Sequence, residues 1–229
     1  MPTPAQSLFA AILADDRAAV KALLKAHPRL STAAVQTEPF LDAGIAHWIY
    51  VGDTALHAAA AGYRVEIAKM LLAEGADPNA AKNHRRSQPL HYAADGYLEN
   101  PHWDPKRQVA MIRLLLEAGA DLHAQDKNGA TPLHRAARTR CAAAVVCLLE
   151  AGADTTIFNK PGSTAFHLAV QNTGRGGSGA EKAKAAQREI IEAFLQRGIS
   201  PNLKDQNGKS VLQWARSEAI RRMLSGDAI

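Results

Sequence analysis

Four times along this 229-residue chain one short signature recurs: Thr54-Ala55-Leu56-His57, Gln88-Pro89-Leu90-His91, Thr131-Pro132-Leu133-His134 and Thr164-Ala165-Phe166-His167. A degraded fifth copy reads Ser210-Val211-Leu212-Gln213. A second landmark, Gly-Ala-Asp, stands at residues 75–77, 119–121 and 152–154, and in weaker form as Gly198-Ile199-Ser200. A hydroxyl residue at the head of each signature suits a helix N-cap, and a glycine after an apolar run suits a helix end. From His134 to His167 the interval is 33 residues. A unit of that length cannot bury its apolar face alone, so copies must stack and share a continuous core. The period therefore argues for one domain over residues 1–229 rather than two.

Composition fits short, closely packed helices. Apolar residues make up 47% of the chain but aromatics only 5%, so Ala and Leu do most of the filling, and Ala costs no side-chain entropy. No apolar run approaches the ~18 residues of a membrane span. The first residues lack a basic segment followed by an apolar one, so a secretory leader is not expected. Cys141 and Cys147 lie six apart on one expected helix and point to different faces, which argues against a disulfide and for a reducing, cytoplasmic setting. The net charge of +5 permits an acidic partner. It is too sparse for a dedicated nucleic-acid binder, so nucleic acid is not the expected partner.

The T-P-L-H start and G-A-D end, at this period, resemble the ankyrin repeat. The resemblance covers about residues 52–226. It implies an all-α solenoid of stacked helix–turn–helix units with hairpin-like connecting fingers, of the stand-alone bacterial type. By that resemblance Thr54, Thr131 and Thr164 cap helices, while His57, His91, His134 and His167 hold the turns in place and bind no metal. Departures are Gln88 for Thr, Arg86 for the turn glycine, Gln213 for His, and two overlong repeats.

The expected organisation follows. Residues 5–30 read as a capping helix pair and 31–51 as an irregular loop ending in a hairpin arm. Repeats follow at 52–86, 87–128, 129–161 and 162–207, with a C-terminal cap at 208–226. His57 to Val65 spans eight residues but His91 to Val109 eighteen, which places an insertion at 96–106. A second insertion falls at 173–187, where residues 180–187 should lengthen the following helix. Both emerge at the helix–helix turn.

Nothing in the chain forms a catalytic pattern: there is no Ser/His/Asp arrangement, no H-E-x-x-H and no paired C-x-x-C. Cys147 reads as core. Cys141, at a helix start, could have a lowered pKa there, but no histidine is placed to act as its base. No enzyme activity, cofactor or metal is expected. The run Gly174-Arg175-Gly176-Gly177, with Lys182 beyond it, could hold an anion on backbone N–H groups. It lacks the Gly-Lys-Ser/Thr ending of a P-loop and no strand precedes it, so a flexible connector is the plainer reading.

In an ankyrin stack the residue after the signature His, and the one three later, face a concave groove. Here these are Ala58 and Ala61, Tyr92 and Asp95, Arg135 and Arg138, Leu168 and Gln171, Trp214 and Ser217. Arg135 and Arg138 have no carboxylate four residues on within their helix, which leaves their charge available. Each finger contributes lysine or arginine, with Arg85 and Arg86 the heaviest. Trp48, Tyr50, Tyr92, Tyr97 and Trp103 gather in the first half of the chain, where such residues suit an interface. The sequence thus points to a monomeric, non-catalytic scaffold presenting a groove to another protein, with Arg135 and Arg138 as charge contacts and Tyr92, Trp103 and Trp48 as anchors. The alternative is an anionic small molecule, nucleotide or nucleic acid on the basic rim.

Overall fold

The computed structural model describes residues 1–36, 40–42, 45, 47–96, 98–100, 103–171 and 180–226, with residues 40–42 as backbone. Helices come in pairs: α1 (Pro4–Leu13) with α2 (Arg17–Ala26), α3 (Ala55–Ala61) with α4 (Val65–Ala73), and α5 (Pro89–Ala94) with α6 (Pro105–Glu117). Then come α7 (Pro132–Thr139) with α8 (Ala142–Glu150), α9 (Ala165–Ala169) with α10 (Glu181–Gln196), and α11 (Val211–Trp214) with α12 (Glu218–Ser225). The first helices of the pairs pack in one layer, α1 to α3 to α5 to α7 to α9 to α11, and the second helices in another. The result is an all-α, two-layer solenoid. Among the described residues no helix is long and apolar enough to cross a membrane.

Local sequence explains the layers. The first helices of the four repeats, α3, α5, α7 and α9, are short and almost wholly buried, and α3 is buried at every position from Ala55 to Ala61. Alanines allow that close approach between neighbours. The second helices end at Gly75, Gly119, Gly152 and Gly198, each at a φ of 73–89° that side-chain-bearing residues avoid. Between the first pair and α3 the chain forms a 3₁₀ turn (Pro28–Thr32) and a two-stranded antiparallel arm, β1 (Phe40–Asp42) with β2 (His47–Ile49). Backbone bonds between Val35 and Asp53, and between Gly52 and Val35, fasten the arm's base to the first repeat.

The two overlong repeats share one device. Eleven residues before the helix-ending glycine stand Arg64, Gln108, Cys141 and Gln187. In the plain repeats this residue is the N-cap of a nine-residue helix. In the long repeats the helix extends upstream to 13 and 16 residues, and the position lies inside it. There a buried glutamine amide donates to carbonyls that end the preceding short helix. Gln108 Nε2 reaches the oxygens of Ala93, Ala94 and Asp95 at 3.1, 3.3 and 3.2 Å, and Gln187 Nε2 those of Ala169 and Gln171 at 2.8 and 3.3 Å. Each glutamine thus satisfies helix-end acceptors at a turn opened by an insertion.

Candidate binding groove

Each signature histidine joins two repeats. Nε2 of His57, His91, His134 and His167 lies 2.9–3.1 Å from the carbonyl oxygens of Ser87, Ala130, Ser163 and Lys209, all in the next finger. A carbonyl only accepts, so Nε2 carries the proton and Nδ1 is an acceptor. Nδ1 takes the backbone N–H of Thr54, Gln88 and Thr131 and the hydroxyls of Thr54, Thr131 and Thr164 at 2.8–2.9 Å. Each threonine stands at the N-cap of its helix and gives its hydroxyl proton to imidazole, and at Thr131 the same oxygen also accepts the His134 N–H at 3.4 Å. Burial lowers the pKa of all four rings, that of His91 to about 4. At Gln88 the hydroxyl is missing and the side-chain Oε1 is buried without a hydrogen-bond donor. In the last repeat Ser210 and Gln213 form a reciprocal capping box, Ser210 N–H to Gln213 Oε1 at 2.8 Å and Gln213 N–H to Ser210 Oγ at 3.2 Å. Gln213 thereby does the local half of histidine's task.

Tyr92 and Arg135 do not present themselves to a ligand. Both are 1% exposed, which corrects the expectation of an available arginine and an open aromatic floor. Arg135 donates to Asp126 Oδ2 at 2.7 Å, to Asp95 Oδ2 at 2.8 Å and to Ser87 Oγ at 2.6 Å. Its carboxylate partners come from the finger before its helix and from the preceding repeat. Burial opposes ionisation of Asp95, but Arg135, His47 and Arg138 outweigh it and hold the carboxyl well below the usual range. Asp95 is accordingly a structural counter-ion. Tyr92 gives its hydroxyl to Asp53 at 2.7 Å, and burial and that carboxylate push its pKa well up.

A spacing rule lies behind this. Arg135 meets Asp126, and Trp214 Nε1 meets Asp205 Oδ2 at 2.9 Å, each partner nine residues upstream. Where the upstream residue is Asn83 or Asn159, the groove position holds the uncharged Tyr92 or Leu168. The signal is present in the sequence, at a nine-residue separation that helical i+4 pairing does not span.

The remaining candidates divide by exposure. Trp48 is 46% exposed and the Arg138 side chain 51% exposed; Trp103, Leu168, Gln171, Trp214 and Arg85 are half-buried, and Arg86 is exposed. Arg85 Nη1 donates to the Tyr50 hydroxyl at 2.9 Å. Arg86 adopts φ 52°, the left-handed conformation its glycine counterparts Gly52, Gly129, Gly162 and Gly208 occupy. Lys182 Nζ donates to the Leu98 carbonyl at 2.6 Å and stands 5.5 Å from the Trp103 ring centroid. The residues Gly174, Arg175, Gly176 and Gly177, like Tyr97, lie outside the described residues. Cys141 is buried and its thiol is pushed up to about 11 by that burial, which corrects the suggestion of an activated thiol.

Two cavities adjoin along the concave face. One, of about 240 Å³, lies between the arm and the first insertion and is lined by Trp48, Tyr50, Tyr63, Trp103, Arg85 and Arg138 among others. The other, of about 620 Å³, is bounded by Arg85, Arg138, Lys160, Leu168, Gln171 and Trp214. Arg85 and Arg138 border both.

Comparison with known proteins agrees with this architecture. A family model of ankyrin repeats in three copies matches residues 8–100 and 106–178, and the chain belongs to the ankyrin-repeat family. Over 81 residues, 35% of the chain, it is 38% identical to the ARF GTPase-activating protein Git of Drosophila melanogaster. Over 67 residues, 29% of the chain, it is 33% identical to the ankyrin repeat protein L91 of Acanthamoeba polyphaga mimivirus. Each match spans about 10% of the relative's own length. Ankyrin repeats generally mediate protein–protein interaction, and the family is typically non-enzymatic.

Proposed function

We propose that this protein is a non-catalytic, monomeric scaffold, working in the cytoplasm as one continuous array, that holds an acidic segment of a partner protein in its concave groove. The observation that carries this reading is the shared border of the two cavities, where Arg85 and Arg138 stand between aromatic and apolar walls. Trp48, Trp103, Leu168 and Trp214 supply contact area, Gln171 a polar contact, and Lys160 a further charge. Interfaces concentrate binding energy in such Trp, Tyr and Arg residues. Tyr92, Asp95 and Arg135 act beneath them by fixing the groove floor. The test is capture of partners from source lysate by wild type and by an Arg85→Glu/Arg138→Glu variant that keeps its thermal midpoint. Loss of specific partners is the expected result; identical partner sets would remove the groove from consideration.

A second reading has a separate observation behind it. Arg86, Lys127 and Lys160 border a cavity of about 380 Å³ between the fingers, and could take an anionic small molecule, nucleotide or nucleic acid. Salt separates the two, because binding through phosphates weakens steeply and log-linearly with salt, whereas an aromatic-anchored contact changes less.

A further inference from the structure

The cavity between arm and insertion differs in kind from the open groove beside it. Its walls come from the two irregular segments of the chain: Trp48 and Tyr50 from the arm, with ring centroids 6.4 Å apart at 26°, and Trp103 from the insertion. Tyr63, after α3, completes the apolar lining. Three of these four aromatics have their polar atoms engaged with protein. Trp103 Nε1 donates to Gln108 Oε1 at 3.1 Å, the Tyr63 hydroxyl donates to the Asp95 carbonyl, and the Tyr50 hydroxyl accepts from Arg85. Their ring surfaces are thereby left as the lining. A volume of about 240 Å³ is below the ~300–1,000 Å³ of sites that enclose a whole small molecule and suits one large side chain.

The charges at its edge set the chemistry of what surrounds that side chain. Arg85 is positioned by Tyr50 through a hydrogen bond and by the stacking of its guanidinium 5.2 Å from the ring centroid. Arg138 has Asp95 at 3.8 Å, but that carboxylate is held at 2.8 Å by the buried Arg135. Two guanidinium groups with donors left over therefore flank an apolar hole, and a fork of donors matches carboxylates. A basic segment, or a cationic ammonium group, would meet them with like charge.

We propose that the cavity is a socket for a single tryptophan, phenylalanine or leucine side chain of an acidic peptide, with Arg85 and Arg138 clasping carboxylates on either side of it. This deepens the scaffold reading and rests on it. The test is fluorescence anisotropy with three fluorescein-labelled peptides: Gly-Asp-Glu-Trp-Glu-Asp-Gly, the same peptide with central Ala, and the same with every acid replaced by Lys. The Trp peptide should bind, the Ala peptide about tenfold or more weakly, and the Lys peptide not at all. Trp48→Ala and Arg138→Glu should each weaken the Trp peptide about tenfold, while Leu168→Ala in the neighbouring cavity should change it less than about threefold. Circular dichroism and thermal midpoints establish that each variant is folded. Equal binding of Trp and Ala peptides overturns the socket. Loss through Leu168→Ala alone overturns it too, and leaves the groove reading standing. If no acidic peptide binds while wild type still captures a groove-dependent partner, the socket fails by itself; if that capture also fails, both readings fail.

Discussion

Each signature histidine spends one ring nitrogen inside its own repeat and the other on the next, so it is useful only when neutral with the proton on Nε2. The folded protein therefore resists protonation at these four positions, while the unfolded chain takes up protons near pH 6.5. The sign follows: because the unfolded state binds more protons, stability is complete above about pH 6.5 and falls as pH drops below it. Each such histidine contributes up to about 1.4 kcal/mol per pH unit until its folded pKa is reached, about 4 for His91. Urea midpoints measured from pH 7.5 to 4.5 should decline across that window, with a shallower slope in a His91→Gln variant. A flat profile would contradict the assignment. Two single-residue departures make further predictions. Gln88→Thr restores a hydroxyl to His91 Nδ1 and removes a buried orphan oxygen, so it should raise stability by about 1 kcal/mol. Arg86→Gly relieves left-handed backbone and should also stabilise by about 1 kcal/mol, read in either case from the urea midpoint. The signature residues were legible because they repeat. The burial of Arg135 was not, because its partners Asp95 and Asp126 lie 40 and nine residues back, and no within-helix spacing finds them.

At the scale of the element, the insertions alter how a helix begins and how its predecessor ends. A plain repeat uses the position eleven before its glycine as an N-cap; an expanded one runs the helix past that position and assigns it a buried glutamine. Gln108→Ala would leave the carbonyls ending α5 without their amide donor. Unsatisfied buried acceptors cost about 1–3 kcal/mol, so the urea midpoint should fall accordingly, whereas Gln108→Glu should destabilise at neutral pH because its charged oxygen faces carbonyls. The two insertions could be located from spacing alone, since His91 to Val109 and His167 to Gly198 are too long. The glutamines carry no such signal, because glutamine is an ordinary helix residue whose shared position shows only relative to the terminal glycines. The same insertion makes Gly96 tight. A Cβ there would run into Cys141 Sγ and Trp103 Nε1, so a methyl group cannot be added unless those side chains or the turn shift.

For the molecule as a whole, Arg135 ties two repeats together, joining helix α7 to Ser87, Asp95 and Asp126 of the repeat before it. Arg135→Met would leave two carboxylates in the interface without their counter-ion, and breaking a buried ion pair from one side costs about 3–5 kcal/mol. Hydrogen exchange should quicken first at α5 and α7, on either side of that boundary, while the N-terminal pair stays protected. The overall architecture was legible because a repeated motif states its own stacking. The groove's character was legible only in part, since which groove residues face a ligand and which face a counter-ion depends on contacts between repeats.

The Lys182–Leu98 bond, and the cation set over Trp103, connect the second repeat to the fourth across the one between them. Ordinary solenoids couple only nearest neighbours, so their ends can melt a repeat at a time. Here a next-nearest-neighbour link joins the units that carry the extra chain, and opening the fourth repeat exposes a contact belonging to the second. The last third of the array should thus unfold together with its middle rather than peel away, and Lys182→Met should uncouple them into a broader transition.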